Sequence, residues 1–91
     1  MEIKYRLAFS EIADADIARW KKSGQKIIMS RISKLLEELE HHPMTGTVKP
    51  EQLRFNLSGK FSRRIDSKNR LVYDIDEKKR IVTIHSLFGH Y

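Results

Sequence analysis

A chain of 91 residues with 40% hydrophobic content can fill one compact core and not two. No apolar run approaches the roughly 18 residues that cross a bilayer, and Met1 to Arg6 lacks the long apolar stretch of a secretory signal, so neither a membrane partner nor export is expected. The absence of cysteine excludes a disulfide framework and a thiolate zinc site, and it fits a reducing cytoplasm.

The net charge is +6, which is compatible with nucleic acid, an acidic protein or an anionic surface. Its distribution is uneven. Residues 1–42 carry eight Lys and Arg against seven Asp and Glu, whereas residues 43–91 carry ten against five. The positive excess therefore belongs to the second half.

Taken in chain order, Tyr5, Leu7 and Phe9 alternate with Lys4, Arg6 and Ala8, the period of a half-buried strand. Ser10 is placed to cap a helix whose first turn holds Glu11 and Asp14, where the helix dipole favours acids. Ala13, Ile17 and Trp20 share one face of it, and Trp20 reads as core. Lys21 and Lys22 suit its C-terminal end, and Gly24 suits a stop. A second helix is predicted from Gln25 to His41, with Ile28, Ile32, Leu35 and Leu39 as its apolar stripe and Lys34, Glu37 and Glu38 opposite. Pro43 ends it, with His41 and His42 at the helix end, and Met44 to Pro50 reads as a loop.

Four strand-like runs with short turns follow. Leu53, Phe55 and Leu57 form the first; Phe61 and Ile65, flanking Arg63, the second. Leu71, Tyr73 and Ile75 form the third, and Arg80 to Phe88 the fourth. His85 in that last run reads as structural. Short connections between consecutive strands imply an antiparallel meander. The expected fold is α+β: two N-terminal helices on one face of a twisted, mainly antiparallel sheet of about five strands, in the order β-α-α-β-β-β-β. One domain over residues 1–91 is expected.

Strand parity carries a chemical consequence. If Leu53, Phe55, Leu57, Leu71, Tyr73 and Ile75 face the helices, then Arg54, Arg64 and Arg70 face the other way. Three guanidinium groups on one sheet face would attract phosphates and bind them bidentately. The same pattern is equally what solvated arginines on an uncovered face would give.

The segments Lys49-Pro50-Glu51-Gln52-Leu53, Asn56-Leu57-Ser58-Gly59, Phe61-Ser62-Arg63-Arg64-Ile65, Asn69-Arg70-Leu71-Val72-Tyr73 and His90-Tyr91 resemble the YoeB/Txe toxins of the RelE superfamily, in that family's order and nearly its spacing. Fainter similarity runs through Phe9-Ser10-Glu11, Trp20 and the helix before Pro43, so the resemblance covers essentially the whole chain. It implies a toxin of a type II toxin–antitoxin system: a ribosome-dependent endoribonuclease that cuts mRNA through the nucleotide's own 2′-hydroxyl, with no metal and no other cofactor. Such a reaction needs a base, cations for the charge on phosphorus, and an acid for the departing 5′-oxygen. By resemblance, Glu51 is the base, Arg70 the phosphate stabiliser, His90 the acid and Tyr91 its neighbour that positions substrate, while Lys49, Arg54 and Arg64 hold RNA. The partners implied are a cognate YefM/Phd-like antitoxin with an acidic tail, mRNA on the ribosome, and a second copy of the chain.

Other readings stay open at this point. Glu51 after Pro50 also reads as a loop carboxylate, Arg70 as a partner for Asp66, and His90 and Tyr91 as frayed terminal residues. A protein of the same fold that binds without cutting, such as a gyrase-poisoning toxin of the ParE type, or a degenerate toxin acting only through its antitoxin, are the alternative functions. The chain departs from the family at Phe55, where a histidine is common, and in a last hairpin around Asp76-Glu77-Lys78-Lys79 that is slightly longer than usual.

Overall fold

The computed structural model describes residues 4–43, 51–52 (backbone only) and 59–89. The expected strand over Leu53 to Leu57 lies outside the described residues, as do Lys49, Arg54, Phe55, His90 and Tyr91.

Strand β1 (Arg6–Phe9) leads into α1 (Glu11–Ser23) and α2 (Lys26–His41), followed by β2 (Glu51–Gln52), β3 (Phe61–Arg64), β4 (Arg70–Asp76) and β5 (Ile81–Ser86). The five strands form one sheet in the order β1-β5-β4-β3-β2. The pairs β2–β3, β3–β4 and β4–β5 are antiparallel, whereas β1 runs parallel to β5. This is the α+β arrangement the sequence predicts, with the first strand inserted beside the last.

Local chemistry explains both helices. Ser10 Oγ accepts from the Ala13 N–H at 3.0 Å, satisfying one of the donors left over at the start of α1, and donates to the His85 carbonyl at 2.8 Å. The cap thus also ties the helix start to β5. Gly24 ends α1 with φ 71°, a left-handed conformation that costs glycine little. In α2 the stripe Ile28, Ile32, Leu35 and Leu39 is buried, as the spacing predicts. Each such side chain contributes on the order of 1.5–3 kcal/mol by leaving water.

The core lies between the helices and one face of the sheet. Trp20, Ile32 and Leu39 join Leu71, Tyr73, Val82 and Ile84 there, and Ile65 and Leu87 are buried in the same cluster. Tyr73 is fully buried, as its apolar alternation predicts. The sequence places Phe9 among the inward-facing positions of its strand. It does pair with Ile84, but β1 is the sheet edge, and Phe9 stays 37% exposed. Arg80, expected at the start of the last strand, instead sits in the β4–β5 turn with φ 57°. Its carbonyl accepts from Arg6 N–H at 2.8 Å, and its guanidinium donates to the Tyr5 hydroxyl at 3.0 Å.

Candidate functional site

The hairpin of β3 and β4 decides where the arginines go. In this register Phe61 pairs with Tyr73 and Arg63 with Leu71, while Ser62 pairs with Val72 and Arg64 with Arg70. The first two pairs face the helices. The other two face away, because successive side chains alternate across a strand.

Arg63 is therefore a core residue. It is fully buried, and its guanidinium donates to the Tyr73 hydroxyl at 3.3 Å, Glu38 Oε2 at 3.1 Å and the His42 carbonyl at 2.7 Å. The Tyr73 hydroxyl in turn donates to the Pro43 carbonyl at 2.8 Å. Burial pushes the Tyr73 phenol above its ordinary value, against the pull of the Arg63 guanidinium, and keeps it a neutral donor. This network pins the end of α2 and the chain entering Pro43 to the sheet.

On the face away from the helices, Arg64 and Arg70 are direct cross-strand neighbours. Arg64 is exposed and Arg70 half-buried. The Arg70 Nε donates to Ser62 Oγ at 2.9 Å, which fixes the plane of its guanidinium. Side chains directly opposite on an antiparallel pair have Cβ atoms about 4.5–5.5 Å apart, and like charges there disfavour the pairing. The register thus sets two arginines opposite each other on this face of the sheet.

Two further segments converge on Arg70. Strand β2 pairs Glu51 with Ser62, so the backbone of Glu51 lies beside the residue whose hydroxyl holds Arg70. After β5, the Gly89 carbonyl accepts from the Arg70 N–H at 2.9 Å, and the Gly89 N–H donates to Asn69 Oδ1 at 2.9 Å. Gly89 has φ 79°, the left-handed conformation expected of a glycine at a sharp bend. The chain thus delivers Gly89, to which His90 is joined, directly onto Arg70.

Asp66 does not pair with Arg70. Burial pushes its carboxyl up, but N–H groups of Lys68 and Asn69 and the Asn69 side-chain amide outweigh this and hold it below the ordinary carboxylate value. It closes the β3–β4 turn by accepting from Lys68 N–H at 2.8 Å and Asn69 N–H at 2.7 Å. A groove of about 410 Å³ opens between α2 and this turn, reached by Arg31, Lys34, Glu38 and Arg64. Arg64 lines it and Arg70 does not, so only one of the two arginines borders this groove.

Of the sequence candidates, Arg64 and Arg70 are brought together, Glu51 is placed by its backbone two strands from β4, and Lys49, Arg54, His90 and Tyr91 lie outside the described residues. Ser62 and Asn69 were not among the candidates. Parity alone would have put Ser62 on the Arg64 face. Further along that face, His85 Nε2 and Asp74 Oδ2 lie 2.7 Å apart, both partly exposed. Among the described residues, no group of three or more His, Asp or Glu side chains is placed to hold a metal ion, and no helix is long and apolar enough to cross a membrane.

Residues 9–91 match the family described as YoeB-like toxin of bacterial type II toxin-antitoxin system. Toxin YoeB of Synechocystis is 38% identical over 77 residues, covering 85% of this chain and 88% of that protein. Among solved structures, the YoeB dimer from Staphylococcus aureus superposes with a TM-score of 0.81 at 32% identity, covering 97% of this chain and 99% of that one. The YoeB–YefM complex from the same organism gives a TM-score of 0.79 at 32% identity with the same coverage.

Proposed function

The chain belongs to the YoeB-like toxins of bacterial type II toxin–antitoxin systems, and from that premise we propose that it is a ribosome-dependent endoribonuclease cutting mRNA through the 2′-hydroxyl. The observation that carries the reading is the facing pair Arg64 and Arg70, with Ser62 fixing the orientation of Arg70 and Gly89 bonded to its backbone. A phosphodiester placed on that pair would have its non-bridging oxygens in reach of guanidinium donors, which bind such oxygens in a fork.

In this reading Glu51 takes the proton from the 2′-hydroxyl. The 2′-oxygen attacks phosphorus, and negative charge grows on the equatorial oxygens, where Arg70 stabilises it. The bond from phosphorus to the 5′-oxygen then breaks, and His90 protonates that leaving oxygen. The products are a 2′,3′-cyclic phosphate and a free 5′-hydroxyl. Tyr91 positions the substrate beside His90, while Lys49, Arg54 and Arg64 hold the flanking phosphates. No metal or other cofactor takes part in this scheme.

The partners follow from the same premise. Staphylococcus aureus YoeB is found in complex with YefM and also as a dimer. We assign this chain a YefM-like antitoxin, a second copy of itself as an assembly partner, and mRNA on the ribosome as substrate. An acidic antitoxin segment suits the excess of cations in residues 43–91.

Primer extension on an mRNA incubated with ribosomes and the protein is the test. New 5′ ends that need both ribosome and toxin, and that disappear with Glu51→Gln or His90→Gln, are expected. Loss of a general acid or base typically lowers the rate about 10²–10⁴-fold. Growth arrest unchanged in both variants at equal expression would overturn the assignment. Gyrase inhibition without RNA cleavage would transfer the chain to the binding-only alternative.

A further inference from the structure

The segment after β5 is held by more side chains than its backbone pairing requires, and most of them come from α1. Leu87 is gripped on both sides of its peptide: its N–H donates to Asp16 Oδ2 at 2.8 Å, and its carbonyl accepts from Trp20 Nε1 at 2.9 Å. Asp16 is a carboxylate buried to 7% exposure. Burying a carboxylate is costly unless its hydrogen bonds are satisfied, so an acid at this position stands out. Phe88 stacks on Trp20, with ring centroids 4.2 Å apart and planes 7° from parallel. The Arg19 guanidinium lies over the other side of the Phe88 ring, 4.1 Å from its centroid. Gly89 is then fixed by Asn69 and Arg70.

Fold stability alone does not account for this arrangement. Phe88 is only partly buried, and a guanidinium above its outer face contributes little to a hydrophobic core. The layered order Trp20, Phe88, Arg19 does restrict where the Phe88 backbone can sit, because the ring can neither lift off nor slide without losing a stacked partner. One residue later the chain reaches Arg70.

We propose that Asp16, Arg19 and Trp20 of α1 are positioning residues: they clamp Leu87 and Phe88 so that the chain is delivered at Gly89 onto Arg70. This rests on the function proposed above, in which Arg70 and the two residues joined after Gly89 take part in the reaction. The clamp converts a segment that would otherwise sample many positions into a preset one, and misplacement of a reacting group by about 1 Å can cost about 100-fold in rate.

The experiment uses the full chain, ribosomes and mRNA, with Phe88→Ala and Arg19→Ala as disrupting variants and Phe88→Tyr as the conservative one. Trp20 is the chain's single tryptophan, so its emission reports the stack directly. Phe88→Ala is expected to lower kcat about 100-fold with KM nearly unchanged, to alter Trp20 emission, and to leave the helical signal intact. Phe88→Tyr keeps a ring between Arg19 and Trp20 and restores most of kcat. Arg19→Ala, at an exposed position, removes only the outer layer and gives a smaller drop in kcat, which secures the test should Phe88→Ala fail to fold.

Altered Trp20 emission together with parental kcat would overturn the proposal. So would failure of Phe88→Tyr to recover activity while its stack is intact. Amide exchange separates this inference from the function on which it rests. The Leu87 and Gly89 amides should exchange slowly in the parent and faster in Phe88→Ala, whether or not the chain cuts RNA. Rapid exchange at both amides in the parent would refute the clamp, whereas slow exchange in a parent that cuts no mRNA would refute only the nuclease assignment.

Discussion

Arg63 and Arg64 are consecutive in β3 and live in opposite environments. Arg63 points into the core, is fully buried and donates to Tyr73, Glu38 and His42. Arg64 is exposed and is the cross-strand partner of Arg70. The two faces of one hairpin thus use the same residue type for different ends. On the helix side a guanidinium is a structural cross-brace that ties α2 and Pro43 to the sheet. On the far side two arginines are cross-strand partners, and Ser62 holds the guanidinium of one of them. Residue type predicts neither role; the side of the strand does.

The comparison breaks most visibly at Arg63. Arg63→Ala removes the bonds to Tyr73 and the His42 carbonyl together with the ion pair to Glu38, from a guanidinium that is itself fully buried. Disrupting a buried pair costs about 3–5 kcal/mol, and for a chain of this size each kcal/mol shifts the melting temperature by roughly 4–8 °C. A large drop in Tm by circular dichroism is expected, and a melting curve like the parent's would show that the brace is dispensable.

Arg70→Ala is the complement. Removing one group that stabilises charge in a transition state lowers kcat by about 10²–10³-fold, while the bond to Ser62 that goes with it is worth about 1 kcal/mol. Ribosome-dependent cleavage should collapse with Tm nearly retained, and Arg64→Ala should show the same pattern more weakly. If Arg70→Ala unfolded the protein and Arg63→Ala left the fold intact but inactive, the roles of the two faces would be reversed.

Tyr73→Phe sharpens the helix-side half of the comparison. It keeps the ring in the core but deletes the acceptor for Arg63 Nε and the donor to the Pro43 carbonyl. A loss of about 1–3 kcal/mol is expected for a buried group deprived of its partner, smaller than for Arg63→Ala. Chemical denaturation of the two variants in parallel measures the difference, and an equal or larger loss for Tyr73→Phe would mean that the phenol, and not the guanidinium, anchors the network.

What the sequence made legible was mostly local or periodic. The Ser10 cap, the Gly24 stop and the apolar stripe of α2 depend on residues within a few positions of one another, and all appear as expected. The common orientation of Arg64 and Arg70 followed from period-2 alternation. The partners of Arg63 were not legible, because Tyr73, His42 and Glu38 lie 10, 21 and 25 residues away and meet it only once α2 packs on the sheet. The grip of Asp16 on Leu87 spans 71 residues and gave no local sign. The parallel placement of β1 beside β5 was equally hidden, since nothing in a strand's own alternation names its neighbour. Of the residues proposed to act in cleavage, the structure describes Arg64, Arg70 and the backbone of Glu51, and the resemblance alone speaks for His90 and Tyr91.

The smallest effect is expected where the two faces join, in the turn from β3 to β4. Asp66 closes this turn through bonds from Lys68 and Asn69, and Asn69 then receives the Gly89 N–H. Burial acts to raise the Asp66 carboxyl, but the donors around it prevail and hold it below the ordinary carboxylate value. The sign follows from linkage: a carboxyl that is more acidic in the folded state stabilises it above the unfolded pKa of about 3.9. That contribution disappears as pH falls through the folded value. Asp66→Asn replaces the charged acceptor with a neutral one, so the variant should be less stable than the parent near pH 7. The difference should stay below about 1 kcal/mol because the site is solvated and screened. It should shrink as both proteins are melted at pH values descending below about 4, since acid neutralises the parent's carboxyl too. A gap in Tm that stayed constant down to pH 2.5 would show that Asp66 acts by shape alone. A loosened turn also frees Asn69, so a modest fall in cleavage at neutral pH, well short of that of Arg70→Ala, should accompany the loss of stability.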